Sequence, residues 1–457
     1  MISNFSFRIP NSAIRYLKLK NLLLFFISLL LLLSASFLQA MPPVQRTILP
    51  NGLVLLISED HSLPFVTLQL LIDLGSRRDP PGEEGLSHLT ARGLLLGTSK
   101  YTVNALNEEL DFMGASLNSS SSRDYATISL RVLKKDLDKG LDLLIEVLAQ
   151  PAFPEDEIQR EVEKILASIQ SSEDQPEKVA EKAFQNSLFL TGSYGHPVEG
   201  TKESLPKLTR EAIIRFYRSY YHPNNAILTV VGDITENEMK EKLLHHLAKW
   251  PTAEIPKVPF ITTFEKEQKT VKIDRGITQA NIILGHAGIS RDNPDYYALT
   301  VMNYILGGGG FSSRLVEEIR NKRGLAYSLA SFFDAGKYPG SFQIILQTKN
   351  SSAREAIDLS FREMERIRKE GVSEKELEGA KKYLIGSFPM RLNTQGKLAN
   401  FLSQVEYYGL GLDYPEKYPF LIRSVTTEEV LRVAKKYLHP ENTILVIVAN
   451  LKEAGMD

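Results

Sequence analysis

The sequence contains no cysteine. That excludes disulfides and thiolate metal sites, so stability has to come from packed cores. A chain of 457 residues is long enough to build them. Acidic residues are missing from the first forty positions, which hold Arg8, Arg15, Lys18 and Lys20. The apolar run "LLLFFISLLLLL" (22–33) follows, then the small-residue exit "SASFLQA" (34–40). A basic leader, an apolar stretch of this length and small residues after it read as a secretory signal peptide over residues 1–40. Cleavage is expected near Ala40 or Ser36, and no cysteine stands there, which excludes a lipoprotein. The alternative is an uncleaved membrane anchor, for which the run is at the short limit. The expected location is the periplasm or another exported compartment, with membrane contact only if the leader stays attached.

An excess of positive charge is missing too. Without the four basic residues of the leader, 50 Lys and Arg face 55 Asp and Glu, a net charge of −5. That argues against a nucleic-acid or anionic-membrane partner. There is no nucleophile elbow and no thiol, so a serine or cysteine peptidase acting alone is also disfavoured.

What the chain does have is a repeat. "YYHPNNAILTVVGDI" (220–234) recurs as "YLHPENTILVIVANL" (437–451), an offset of 217. The offset holds upstream, where "LTREAI" (208–213) matches "VTTEEV" (425–430). Each copy reads as a Thr-capped helix, a His-Pro-x-Asn turn and an apolar strand. The repeat implies two homologous domains, 44–250 and 268–457, joined by a Pro-rich linker at 251–267. Within each, locally paired strands and amphipathic helices give an α+β domain, a mainly antiparallel sheet with helices on one face. Helices are expected at 85–97, 103–113, 136–149, 155–172, 293–306, 312–322 and 352–369.

One helix carries a broken motif. "GLSHLTARG" (85–93) has His88 and, four residues later, Arg92. A zinc peptidase helix needs histidines at i and i+4, which share a face, and a carboxylate beside them as general base. Here the base position is Ala91 and the second ligand position is Arg92. A lone histidine in an apolar helix is ordinarily a packed side chain. The flanks say more: "LPNGL" (49–53), "GS" (75–76), "GLSH" (85–88) and "GT" (97–98) resemble the insulinase/pitrilysin family of metallopeptidases. The resemblance runs the length of the chain after the leader, and puts the family's His-x-x-Glu-His on 88–92. It implies a third zinc ligand, a Glu, at position 168, which is Ser168 here, and an outer acidic residue at Glu161. Of the family's four catalytic groups only His88 remains, and a guanidinium at 92 repels a divalent cation. No metal is expected in this chain. The remaining histidines are scattered, and His222 and His439 are repeat-related turn residues.

The second half carries "ILGGGGFSSRLVEEIRNKRGLAYSLASFF" (305–333). Its four glycines lack the Lys-Ser/Thr of a phosphate loop and read as a turn between helices. The resemblance implies that an Arg and a Tyr seven residues apart, here Arg320 and Tyr327, bind the substrate backbone and the oxyanion. Read alone, they are a solvated helix residue and a strand aromatic. The zinc half is dismantled and the Arg/Tyr half is whole. This pattern resembles family members that act as heterodimers, one subunit with the zinc motif and its partner with the Arg/Tyr pair. The expected function is therefore the non-catalytic subunit of an exported zinc peptidase, inactive alone. Its partners would be a homologous zinc-bearing subunit and a peptide substrate. "GASLNSSSSRDY" (114–125) resembles the strand and turn on which family members dock substrate. The competing reading is a non-enzymatic peptide-binding or assembly protein that kept the fold.

Overall fold

The computed structural model describes residues 42–247 and 250–457; the leader at 1–40 lies outside the described residues. Among those described, no helix is long and apolar enough to cross a membrane.

The first sheet runs β1 (Val44–Ile48), β2 (Val54–Glu59), β7 (Ala226–Gly232), β3 (Phe65–Ile72), β5 (Ala126–Leu133), β4 (Ser116–Ser121). The second runs β9 (Lys269–Asp274), β13 (Ile444–Ala449), β10 (Gln279–Ala287), β12 (Ser341–Lys349), β11 (Ala326–Asp334). Leaving out β1, the two orders are the same. In each, one pair is parallel, β2 with β7 and β9 with β13, and the rest are antiparallel. The expected α+β architecture with two homologous domains is thus the observed one.

The repeat falls where the sequence puts it. Helix Arg210–Tyr220 and turn Pro223–Asn225 in the first half match helix Thr427–Tyr437 and turn Pro440–Asn442 in the second. The Thr209 and Thr426 hydroxyls each accept a backbone N–H three residues on, satisfying a donor the helix start leaves open.

Helices do not cover one face only. The other face of each sheet is closed by a helix from the opposite half. Gln395–Tyr407 lies across β3 and β7, and Pro176–Leu188 lies across β10 and β13. This is why β3 and β7 are buried almost without alternation, Thr67 and Thr229 included: both faces are covered. Phe184 is fully buried, and a Cβ on Gly285 of β10 would stand 2.6 Å from its ring, so only glycine lets the helix seat. On the other sheet, the Thr229 and Ser403 hydroxyls bond at 2.8 Å. Phe184 and Leu188 share a core with Ile283, Ile444 and Val446, so that core belongs to both halves.

The join between the halves is laid on the first half rather than free. Trp250 Nε1 donates to Tyr221 O at 2.8 Å, and Asn224 Nδ2 to Ala253 O at 2.8 Å. Strand β8 (Thr262–Phe264) pairs with β6 (Phe189–Gly192).

Three expected helices differ, the first of them being 85–97, which is helical only over Leu86–Gly93. The stretch 293–306 is an α-helix over Tyr296–Asn303 that widens to a π-helical turn at Tyr304–Gly308. The stretch 312–322 is a short turn at Gly310–Ser312 and a second π-helical turn at Val316–Asn321. In these last two, a backbone N–H reaches five residues back, Gly309 to Tyr304 and Lys322 to Glu317, so each turn takes an extra residue.

Candidate functional site

The first half presents the helix Leu86–Gly93. Its start is fixed by Asp79, whose carboxylate accepts the Gly85 and Ser87 backbone N–H groups at 2.9 and 2.8 Å. Gly85 has φ 96°, and a Cβ there would lie 2.8 Å from Glu199 O. Full burial pushes the Asp79 carboxyl well above the usual carboxylate range.

On this helix His88 is half-buried, Ala91 is fully buried and Arg92 reaches outward. The His88 Nδ1 is buried without a hydrogen-bond partner. Burial, then the Arg92 guanidinium, hold the imidazole below its ordinary pKa. Arg92 Nε donates to Glu161 Oε1 at 2.7 Å. Glu161, on the helix Glu155–Glu173, is 3% exposed, and Lys164 approaches its other oxygen at 3.4 Å. Ser168, two turns further along that helix, is exposed.

This donor set does not fit zinc. Four-coordinate zinc with an open position needs three anionic or imidazole ligands. Here one imidazole is accompanied by a methyl group, a guanidinium and a hydroxyl, and the nearby carboxylate is already bound by Arg92. Among the described residues, no three His, Asp or Glu side chains form a metal-competent group.

The second half presents Arg320 and Tyr327 differently. Arg320 sits in the π-helical turn Val316–Asn321. Its neighbours Lys322 and Arg323 both pair with Glu318. Arg320 has no carboxylate partner among the described residues; its guanidinium lies 4.7 Å from the centre of the Phe311 ring. Tyr327 falls at the irregularity in β11, where Ala326 pairs with Thr348 and Ser328 with Gln347. The extra residue is turned out of the ladder, and the Tyr327 side chain is 74% exposed. Leu325 N–H donates to Ile319 O at 2.9 Å, tying the turn to the start of β11. Both candidate residues therefore stand on connected, defined backbone with donors not taken up by the protein. Among the described residues, no hydrogen bond joins either to the His88 helix.

Of the histidines at the repeat turns, His222 is buried and His439 is partly exposed, with Nδ1 3.2 Å from Glu441 Oε1. The two His222 ring nitrogens lie 2.8 and 2.7 Å from Pro251 O and Arg218 O. The His439 backbone N–H donates to His286 Nε2 at 3.1 Å.

A polar cluster between the halves has no counterpart in the sequence reading. Lys337 Nζ lies 3.0 Å from Asp73 Oδ1, and its backbone N–H donates to Asp124 Oδ2 at 2.8 Å. Arg77 pairs with Asp73 at 2.6 Å, and the Tyr407 hydroxyl donates to the same oxygen at 3.0 Å. Burial alone would raise the Asp73 carboxyl, but Arg77 and Lys337 carry it below the ordinary value. The contributors are up to 334 residues apart, so no local motif announces them.

Comparison with known proteins identifies the family and the fold. Residues 54–202 match the family model of insulinase (peptidase family M16), and residues 207–384 match that of the peptidase M16 inactive domain. An uncharacterized zinc protease of Streptomyces coelicolor is 28% identical over 411 residues, 88% of this chain and 89% of its own. A non-peptidase homolog of Helicobacter pylori is 26% identical over 86% of this chain and 91% of its own. A probable mitochondrial-processing peptidase subunit beta of Arabidopsis thaliana is 26% identical over 93% of this chain and 81% of its own. Among solved structures, the peptidase M16 inactive domain from Pseudomonas fluorescens superposes with a TM-score of 0.83 at 28% identity. It covers 89% of this chain and 98% of that one. The two family matches follow one another along the two homologous halves, and this chain belongs to the insulinase-type M16 metallopeptidase family, as a member lacking the His-x-x-Glu-His zinc motif.

Proposed function

We propose that the protein is the non-catalytic subunit of a heterodimeric zinc peptidase, in the periplasm or otherwise exported. In this reading Arg320 and Tyr327 serve an active site whose zinc is bound by a homologous partner subunit. The observation that carries the reading is the contrast between the halves. Arg92 and Glu161 bind each other at 2.7 Å where a metal site would be, while Arg320 has no carboxylate partner among the described residues and Tyr327 stands exposed. A guanidinium and a phenol held on defined backbone are suited to meet negative charge that develops on a scissile carbonyl. The zinc in the partner would supply Lewis-acid activation of water. The substrate is a peptide or an unfolded segment.

The test has three arms: this protein, a homologue with an intact zinc motif, and the two mixed, each assayed for bound zinc and for cleavage of a quenched peptide library. Zinc in the homologue only, with cleavage rising on mixing, is the expected result. Arg320→Ala or Tyr327→Phe in the mixture should lower kcat by ~10²–10³. Unchanged activity in the double variant would overturn the reading.

The second reading is a peptide-binding or assembly protein without an enzymatic role. It is favoured by the relative in Helicobacter pylori described as a non-peptidase homolog. It predicts no complex with the zinc-bearing homologue and no gain on mixing.

A further inference from the structure

The second half contains a cleft of about 590 Å³ where the Gln395–Tyr407 helix meets the loop at Arg291. That volume is in the range of ligand sites, roughly 300–1,000 Å³. Its cations are Arg291, Arg391 and Lys397, and among the described residues no Asp or Glu lines it. Elsewhere this chain matches charge closely: Arg314 has Glu376, and Arg432 and Lys436 share Asp295. None of the three cleft cations forms an ion pair among the described residues. Arg291 lies 3.8 Å from the centre of the Tyr296 ring and donates to the Tyr414 hydroxyl at 3.0 Å. Lys397 donates to Asn393 Oδ1 at 3.0 Å, and Arg391 lies near the Phe388 ring. The nearby acids are engaged: Asp413 pairs with Lys417 at 2.7 Å and Asp292 accepts from the Ser290 hydroxyl.

The cleft is not isolated. It shares Ala335 and Tyr408 with a cavity of about 400 Å³ lined by the Ser122–Tyr125 turn after β4. That cavity in turn shares Glu181, Phe332 and Gln343 with one of about 330 Å³ beside β11, which Glu177 also lines. The three cavities thus adjoin one another through shared walls, with Glu177 and Glu181 at one end and the three cations at the other.

We infer that the Arg291–Arg391–Lys397 cleft binds the free C-terminal carboxylate of a peptide lying along these cavities. This rests on the peptide-binding part of the function proposed above, and not on a zinc partner. A guanidinium fixed by aromatic stacking holds its donor fork ready for a carboxylate. The aromatic walls, Phe401 and Tyr408 among them, suit the last side chains of the peptide. Glu177, at the far end, suits its amino end, while Glu181 beside it is paired with Lys178 at 2.9 Å. Inorganic phosphate would use the cations but neither the walls nor the adjoining cavities.

The test uses the full chain alone and a hexapeptide carrying an uncharged fluorophore, read by anisotropy. Three forms are compared: a C-terminal free acid, the same peptide as an amide, and an amide with Glu as its last residue. The free acid should bind about tenfold or more tightly than the plain amide. Arg391→Gln with Lys397→Gln, both exposed positions, should erase that preference, bringing the free acid down to the affinity of the amide for the same variant. Equal binding of acid and amide, or a variant that keeps the preference, overturns the inference. An amide ending in Glu that binds as well as the free acid overturns the assignment to the terminus. Because no second subunit is present, these results are separate from any failure of joint cleavage.

Discussion

At the scale of single residues, the pair Arg92 and Glu161 is a strut between two helices. Glu161 is almost completely buried, and its charge is held by Arg92 from a different helix. Removing one partner of such a pair leaves a buried carboxylate short of donors. Arg92→Ala should therefore cost about 1–3 kcal/mol in denaturant unfolding. Adding Glu161→Gln should recover part of the loss; an Arg92→Ala variant as stable as the parent would show that the pair holds nothing. His286 makes a pH-dependent contribution. Its Nε2 accepts the His439 N–H, and its Nδ1 lies 2.8 Å from Ala287 O, an arrangement that requires the neutral ring with the proton on Nδ1. Burial pushes its pKa down to about 4. The unfolded chain binds the proton near pH 6.5, so between about pH 6.5 and 4 it takes up a proton the folded chain refuses. Stability should fall through that window as pH falls, by up to about 3 kcal/mol from this residue. His286→Gln should flatten that part of the unfolding-versus-pH curve; a curve of unchanged slope would assign the dependence elsewhere.

At the scale of elements, the exchanged helices matter most. Pro176–Leu188 belongs to the first half by sequence and to the second sheet by contact. Phe184→Ala should cost about 3–5 kcal/mol, as for other large aromatic truncations in a core. The loss should appear in a single transition, because the core it opens is shared by both halves. Two separated transitions in calorimetry would mean that the halves fold independently. Much of this layer was legible. Thr209 and Thr426 announce their helices through side-chain chemistry, and the turns at Pro223 and Pro440 follow from fixed φ. The π-helical turns were not legible. They differ from α-helix by one residue in the hydrogen-bond ring, and hydrophobic spacing over a single turn does not separate the two.

At the scale of the whole molecule, the halves are tied by the cluster around Asp73. Lys337 bridges it from the second half, to the Asp73 carboxylate by its side chain and to the Asp124 carboxylate by its backbone. Lys337→Met removes the side-chain bond and leaves the backbone one. It should lower stability by about 1–3 kcal/mol and speed proteolytic cleavage in the join at 250–269. A cleavage rate equal to the parent's would show that the exchanged helices alone fix the halves.

The sequence by itself determined the duplication and the α+β class, written in residue identity at a fixed spacing: His-Pro-x-Asn twice, 217 residues apart. The lost zinc positions and the candidate pair Arg320 and Tyr327 were legible only through the resemblance to the metallopeptidase family, because an isolated His88, or an Arg seven residues before a Tyr, carries no chemistry by itself. Only the tertiary structure decided that Arg92 is spent on Glu161, that each sheet is closed by the other half's helix, and that Arg291, Arg391 and Lys397 line one cleft. These are encounters between residues tens to hundreds of positions apart. What brings them together is burial of apolar surface by whole elements, which is non-directional and leaves no local pattern in the chain.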